Sequence, residues 1–223
     1  MRPVLISQRV DIIAEYGERR DAIDQRWGAL LRQVGLVPVP VPNLIDADGL
    51  DILLDLLSLA GVILSGGPSL VAYGGDTPER DATELAIIKA AERRHIPLLG
   101  VCRGLQVLMW HFGTTLSNLE GHVGTRHSLS VMGHGSFADQ LRTIDQVNSY
   151  HEIGAYEVKR PLRVVARAGD GSIEAVEHVD RPIRGIMWHP EREAVARLAD
   201  LKILSELFNV PKGTEPWQDR PAD

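Results

Sequence analysis

One cysteine stands in 223 residues, which excludes an internal disulfide framework. No apolar stretch is long enough to span a bilayer. The chain runs from Met1-Arg2-Pro3 directly into the strand-like Val4-Leu5-Ile6, with no apolar signal region before it. Lys and Arg are scattered, and the short clusters Arg19-Arg20 and Arg93-Arg94 are interleaved with acids, so they read as solvated faces. With a net charge of −6, the basic footprint of a nucleic-acid binder is missing. Internal repeats and low-complexity blocks are absent as well. These absences lead to the expectation of a soluble, cytoplasmic protein in a reducing compartment, with no nucleic-acid or membrane partner and with its thiol free.

A chain of this length, 44% hydrophobic, is expected to form one domain over residues 1–210, with residues 211–223 as a loose proline-rich tail. The first half alternates strand and helix patterns. Val4–Ser7, Gly61–Ser65 and Ile96–Val101 read as strands. The prolines of Leu36–Pro42 suggest an edge strand. Helices are expected over Asp21–Gly35, Asp48–Ala60, Pro78–His95 and Leu105–Phe112. This order argues for an α/β fold: a doubly wound, mainly parallel sheet with helices on both faces. Thr114–Tyr150 has weak periodicity. Leu162–Ala166 and Ile173–Glu177 read as a small antiparallel strand pair turned at Gly169-Asp170-Gly171, and Ala194–Phe208 reads as a closing helix.

The lone cysteine lies in Gly100-Val101-Cys102-Arg103-Gly104, between a buried strand and a helix. A nucleophile held in a tight strand-to-helix turn between glycines is the nucleophile-elbow pattern, and the helix start favours thiolate. A buried structural cysteine would look the same in isolation. The run Gly185-Ile186-Met187-Trp188-His189-Pro190-Glu191 supplies the partners. On extended backbone, residues two apart share a side, so His189 would face the sulfur and Glu191 would orient the imidazole. Acyl transfer also needs an oxyanion hole, for which the main-chain N–H of Arg103 and one from the Gly66-Gly67-Pro68 turn, taken as Gly67, are the natural donors.

Together these residues resemble the class I glutamine amidotransferase superfamily, whose marks are Gly-x-Cys-x-Gly-x-Gln, here Gly100 to Gln106, and His-Pro-Glu, here His189 to Glu191. Ser65-Gly66-Gly67-Pro68 is similar to the superfamily's oxyanion loop, and the likeness extends from about Val4 to Phe208. The resemblance implies a flavodoxin-like fold and a Cys102–His189–Glu191 triad that cleaves a γ-glutamyl amide through a thioester, without a cofactor. Cys102-Arg103-Gly104-Leu105-Gln106 and Arg80-Asp81-Ala82-Thr83-Glu84 resemble the γ-glutamyl hydrolase branch. The Gly121–His127 and Val147–His151 stretches and a compact spacing are closer to its γ-glutamyl-CDP-amidate hydrolases than to its γ-glutamyl-γ-aminobutyrate hydrolases.

By this resemblance Gln106, Asn148, Ser149, Tyr150 and His151 would hold the glutamyl end of a small-molecule substrate, and Gly66 would also contact the substrate. His127, with His122, Arg103 and Arg126, would meet a diphosphate, unless this basic group is a solvated loop. Arg80 and Asp81 fit a helix-start salt bridge as well as a substrate contact. Relatives often dimerise, so a homodimer is expected. A glutaminase subunit feeding a synthetase, and a binding protein that kept the fold, would share the same pattern. A metal site built from His122, His127 and His134 is disfavoured, because spacings of five and seven match no helix face and no cysteine lies nearby.

Overall fold

Strands that carry an unbroken apolar run must be covered on both faces, and Gly61–Leu64 and Leu98–Val101 are buried at every position. The computed structural model describes residues 1–210; the expected tail lies outside the described residues. The chain opens with β1 (Arg2–Ser7), a hairpin of β2 (Arg9–Ile13) and β3 (Glu18–Ala22), α1 (Arg26–Gln33), β4 (Leu36–Val41), α2 (Ala47–Leu56), β5 (Gly61–Leu64), α3 (Pro78–Arg94), β6 (Leu98–Val101) and α4 (Arg103–His111). It continues through β7 (Ser117–Asn118), β8 (Val123–His127), β9 (Ser130–Val131), α5 (Ser136–Leu141), β10 (Val147–Tyr150), β11 (Ile153–Gly154), β12 (Leu162–Arg167), β13 (Ile173–His178), β14 (Ile183–Ile186) and α6 (Leu198–Leu207).

Eight strands form one sheet in the order β4-β1-β5-β6-β14-β13-β12-β9. The strands from β4 to β14 run parallel, and β13, β12 and β9 continue the sheet antiparallel. The fold is therefore the expected α/β arrangement. The expected β12–β13 pair belongs to this same sheet. Alternating strand residues feed two cores. Ile6, Ile63 and Leu99 pack with Trp27, Phe137, Ile203 and Phe208 from α1, α5, α6 and the end of α6. Leu5, Val62 and Leu98 pack with Leu50, Ile88 and Leu108 from α2, α3 and α4. Helices thus cover both faces, and each fully buried large apolar side chain contributes roughly 1.5–3 kcal/mol.

Several boundaries differ from the sequence pattern. The expected helix from Asp21 begins only at Arg26, because Asp21 belongs to β3 and its carboxylate binds Asn43 N at 2.8 Å and Nδ2 at 2.7 Å. α2 stops at Leu56, since Leu57 is extended, and α6 starts at Leu198, since Arg197 is extended. The weakly periodic stretch from Thr114 holds three short strands, α5 and β10.

Candidate active site

In an open α/β sheet, loops leaving the carboxyl ends of adjacent parallel strands meet over the same edge. Here those strands are β5, β6 and β14. Beyond them lie Ser65-Gly66-Gly67, Cys102 and His189. Cys102 is buried and has φ 53° and ψ −104°, a left-side conformation that costs a non-glycine residue of order 1–3 kcal/mol. Its N–H donates to Ile186 O at 2.8 Å, and its carbonyl accepts from Gln106 N at 3.0 Å, so the strand and α4 hold the turn from both sides. The flanking glycines are obligatory. A Cβ on Gly104 would stand 2.2 Å from Leu64 O, and one on Gly100 would stand 2.7 Å from Gly104 backbone. Arg103 is the first residue of α4, where main-chain N–H groups have no acceptor within the helix.

His189 Nδ1 lies 2.6 Å from Glu191 Oε1. The run is not extended as the sequence pattern suggested: Pro190–Arg192 is a 3₁₀ turn, which folds Glu191 back toward the imidazole. The Cys102 side chain is the other group that acts on this imidazole. Burial disfavours its charge, yet the neighbouring Cys102 and Glu191 side chains outweigh that and push its pKa up to about 9. Asn148 clamps the same residue from below: Oδ1 accepts from His189 N at 2.9 Å, and Nδ2 donates to His189 O at 2.8 Å. Gly66 lies so close that a Cβ there would be 2.4 Å from His189 Cε1.

Behind the Ser65–Gly67 turn is a buried ion network. Arg103 pairs with Glu84 and Asp81, and Arg80 Nε donates to Glu84 Oε1 at 2.9 Å. Arg80 Nη2 also donates to Ser65 O at 2.8 Å and Gly66 O at 3.0 Å, while Ser7 Oγ donates to Glu84 at 2.7 Å and accepts from Ser65 N at 2.9 Å. Burial alone would raise the Glu84 pKa, but Arg103 and Arg80 hold it below its ordinary value. Burial lowers Arg80 to about 10 against the pull of Glu84. The guanidinium of Arg103 is therefore committed to carboxylates and does not meet a diphosphate; Arg80 is scaffold for the turn, and Asp81 holds Arg103 and accepts from Val71 N at 2.9 Å.

A cavity of about 240 Å³ opens over Cys102, lined by Gly67, Pro68, Gln106, Val123, Tyr150 and Ile153 among others, with His151 in its wall. Gln106 Nε2 donates to Ile153 O at 2.9 Å. Tyr150 presents an edge to His189 with centroids 5.9 Å apart and carries the Arg192 guanidinium over its face. A narrower hollow of about 40 Å³ joins Gly66, Gly67 and His189 to Arg9 and Arg192. Asn148 and Ser149 do not line either space. The amide of Asn148 is consumed by His189 and Glu193, and Ser149 Oγ donates to His122 O at 2.7 Å. Arg126 is tied to Glu193, and His127 turns toward Glu174. A larger open hollow of about 580 Å³, bordered by Arg126, Arg197 and Lys202, contains none of Cys102, His189 or Glu191. Sequence reasoning missed Arg9, Val123, Ile153 and Arg192. Arg9 sits on the hairpin β2–β3, whose charged, exposed strand β3 shows no alternation to reveal it.

Beside the cavity wall, His122, His127 and His151 converge on Glu174, whereas the exposed His134 does not join them. Burial pushes the Glu174 carboxyl up to about 7 and the His151 imidazole down to about 4.

Comparison with known proteins agrees with this architecture. Residues 7–191 match the Peptidase C26 family. A gamma-glutamyl-CDP-amidate hydrolase of Campylobacter jejuni is 32% identical over 212 residues, covering 93% of this chain and 98% of the relative. Gamma-glutamyl-gamma-aminobutyrate hydrolase PuuD of Escherichia coli is 32% identical over 206 residues, covering 78% and 80%. A crystal structure of a glutamine amidotransferase from Thermotoga maritima shares the fold, with TM-score 0.62, 15% identity and coverage of 93% and 82%. No helix among the described residues is long and apolar enough to cross a membrane. The chain thus belongs to the Peptidase C26 family, among the class I glutamine amidotransferase-like hydrolases.

Proposed function

We propose that this protein hydrolyses a γ-glutamyl amide with Cys102 as nucleophile, and that its substrate is γ-glutamyl-CDP-amidate. The observation that carries the reaction is Cys102 on its strained turn at the floor of an open cavity, with the His189–Glu191 pair beside it at the end of the neighbouring strand. The Cys102 thiolate attacks the γ-carbonyl carbon, forming a C–S bond. The oxyanion is received by the main-chain N–H groups of Arg103 and Gly67. As the C–N bond breaks, the His189 imidazolium gives its proton to the leaving nitrogen. His189 then takes a proton from water, whose oxygen attacks the thioester, and glutamate leaves with the thiolate restored. Glu191 keeps the imidazole oriented and stabilises its charge.

The substrate reading is supported by the C. jejuni relative, which aligns over nearly its whole length at the identity the shorter PuuD match also reaches. Arg9 and Arg192, flanking Gly66 and Gly67, supply the guanidinium groups that a diphosphate requires. Glutamate release from γ-glutamyl-CDP-amidate, γ-glutamyl-γ-aminobutyrate and glutamine tests both halves. Preference for the nucleotide supports the reading. Preference for γ-glutamyl-γ-aminobutyrate overturns the substrate half, and release from none of the three overturns the reaction.

A further inference from the structure

We propose that this chain holds a zinc ion between His122, His127, His151 and Glu174. The four come from separate places: His122 precedes β8, His127 ends it, His151 follows β10, and Glu174 lies in β13. One ligand atom from each lies within 4.8 Å of the others. Glu174 Oε1 is 3.4 Å from His127 Nε2, 3.4 Å from His151 Nε2 and 3.8 Å from His122 Nδ1. Donors about 2.0–2.2 Å from a tetrahedral zinc stand roughly 3.4 Å apart, so these edges already approach the size of a filled site.

The polar groups in this cluster face one another without satisfying one another. Both carboxylate oxygens of Glu174, both ring nitrogens of His127 and Nε2 of His151 have no hydrogen-bond partner among the described residues. Glu174 and His151 are buried, and a buried carboxylate left unpartnered is strongly disfavoured. A divalent cation at the common point removes that cost, because it takes the lone pairs that no donor reaches.

The surrounding contacts aim the ligands inward. His122 Nε2 lies 3.1 Å from Asp170 Oδ2, so Nδ1, which also lies 3.4 Å from Ser149 Oγ, is the nitrogen turned toward Glu174, and Asp170 is itself fixed by Ser172 Oγ at 2.7 Å. His151 Nδ1 lies 3.3 Å from Ile153 O, which leaves Nε2. A carboxylate or carbonyl behind each ligating imidazole is the usual outer support of a metal site. Three imidazoles and one carboxylate form a nitrogen-rich set that suits zinc better than magnesium or calcium, which prefer oxygen. Four protein donors leave no open position, so the ion is structural. It fastens the β8–β10 ribbon to β13 and thereby sets the cavity wall that carries Tyr150 and His151.

The inference does not depend on the hydrolytic reading, and metal content tests it directly. The full chain, produced in zinc-containing medium and dialysed against metal-free buffer, should carry one zinc per chain by elemental mass spectrometry. Cys102→Ala and His134→Asn should carry the same, and Glu174→Gln and His127→Asn should carry essentially none. If those variants fold poorly, the wild-type chain decides. Stripping by a strong chelator should lower its Tm, zinc should restore it, and magnesium should not. Cobalt(II) in the stripped protein should give the intense ligand-field bands of a four-coordinate site. Metal-free protein with a Tm indifferent to zinc overturns the proposal. So does zinc that persists in Glu174→Gln and His127→Asn, or zinc that vanishes with Cys102.

Discussion

Asn148 grips the main chain of His189 at both its N–H and its carbonyl, at 2.9 and 2.8 Å, so the side chain of one residue fixes the backbone of the other. Resemblance alone would assign Asn148 to substrate, but its amide is occupied beneath the imidazole. Replacement by Asp removes the donor to His189 O and sets an anion beside Glu193, which already accepts from Asn148 Nδ2 at 2.7 Å. Asn148→Asp should lower kcat by about 10–100-fold with little change in KM, because a small displacement of a proton-transfer group costs that much while the cavity stays intact. A rise in KM at constant kcat, measured by steady-state glutamate release, would instead return Asn148 to substrate binding.

Two glycines of the site should respond in opposite ways to the same small addition. The Cβ of Gly104→Ala meets Leu64 O, a backbone atom that cannot yield, so this variant should lose about 1–3 kcal/mol of stability in urea unfolding. The Cβ of Gly66→Ala meets the edge of His189, which can swing away. That variant should keep its Tm within a few degrees and lose at least about 10²-fold in kcat/KM.

Much of this arrangement is visible in the chain as written. The apolar runs Gly61–Leu64 and Leu98–Val101 are bounded by glycine and proline, and the helices between them carry apolar residues at helical spacing, so the parallel sheet and the elbow at Cys102 follow from local pattern. What is hidden depends on long-range pairing. The charged strand Glu18–Ala22 has no buried face to advertise it, yet its hairpin brings Arg9 to Gly66 and Gly67. His151 and Glu174 are 23 residues apart in number and meet only because β10 and β13 are brought together by the fold. Arg103 reads as a cation near a nucleophile, and only the placement of α3 reveals that Glu84 and Asp81 consume its charge.

The pH profile should report the His189 pair. Its pKa is raised to about 9, so the imidazolium that protonates the leaving nitrogen persists through neutrality and is lost as pH rises through about 9. The alkaline limb of kcat/KM should fall there. Glu191→Gln removes a negative partner, so the limb should move to lower pH while maximal activity drops. An unmoved limb would show that Glu191 does not govern the imidazole.

The buried network should dominate acid stability. Glu84 is held below its ordinary pKa of 4.5 by Arg103 and Arg80, against its burial. The stability this contributes is present above pH 4.5 and is lost as pH falls below that value. Arg103→Leu leaves Glu84 and Asp81 without a shared cation and should cost about 3–5 kcal/mol in denaturant titration at pH 7. Arg126→Ala, which breaks the half-exposed pair with Glu193, should cost no more than about 1 kcal/mol.

The most direct test of the central claim is to look for the acyl group on the sulfur. Wild-type protein, mixed with γ-glutamyl substrate and acid-quenched within the first turnovers, should show by intact-mass and peptide mass spectrometry one γ-glutamyl group on the peptide containing Cys102, removable by hydroxylamine. Cys102→Ala should show no such adduct and no glutamate release. Sustained turnover by Cys102→Ala, or a γ-glutamyl group carried on another residue, would contradict the account.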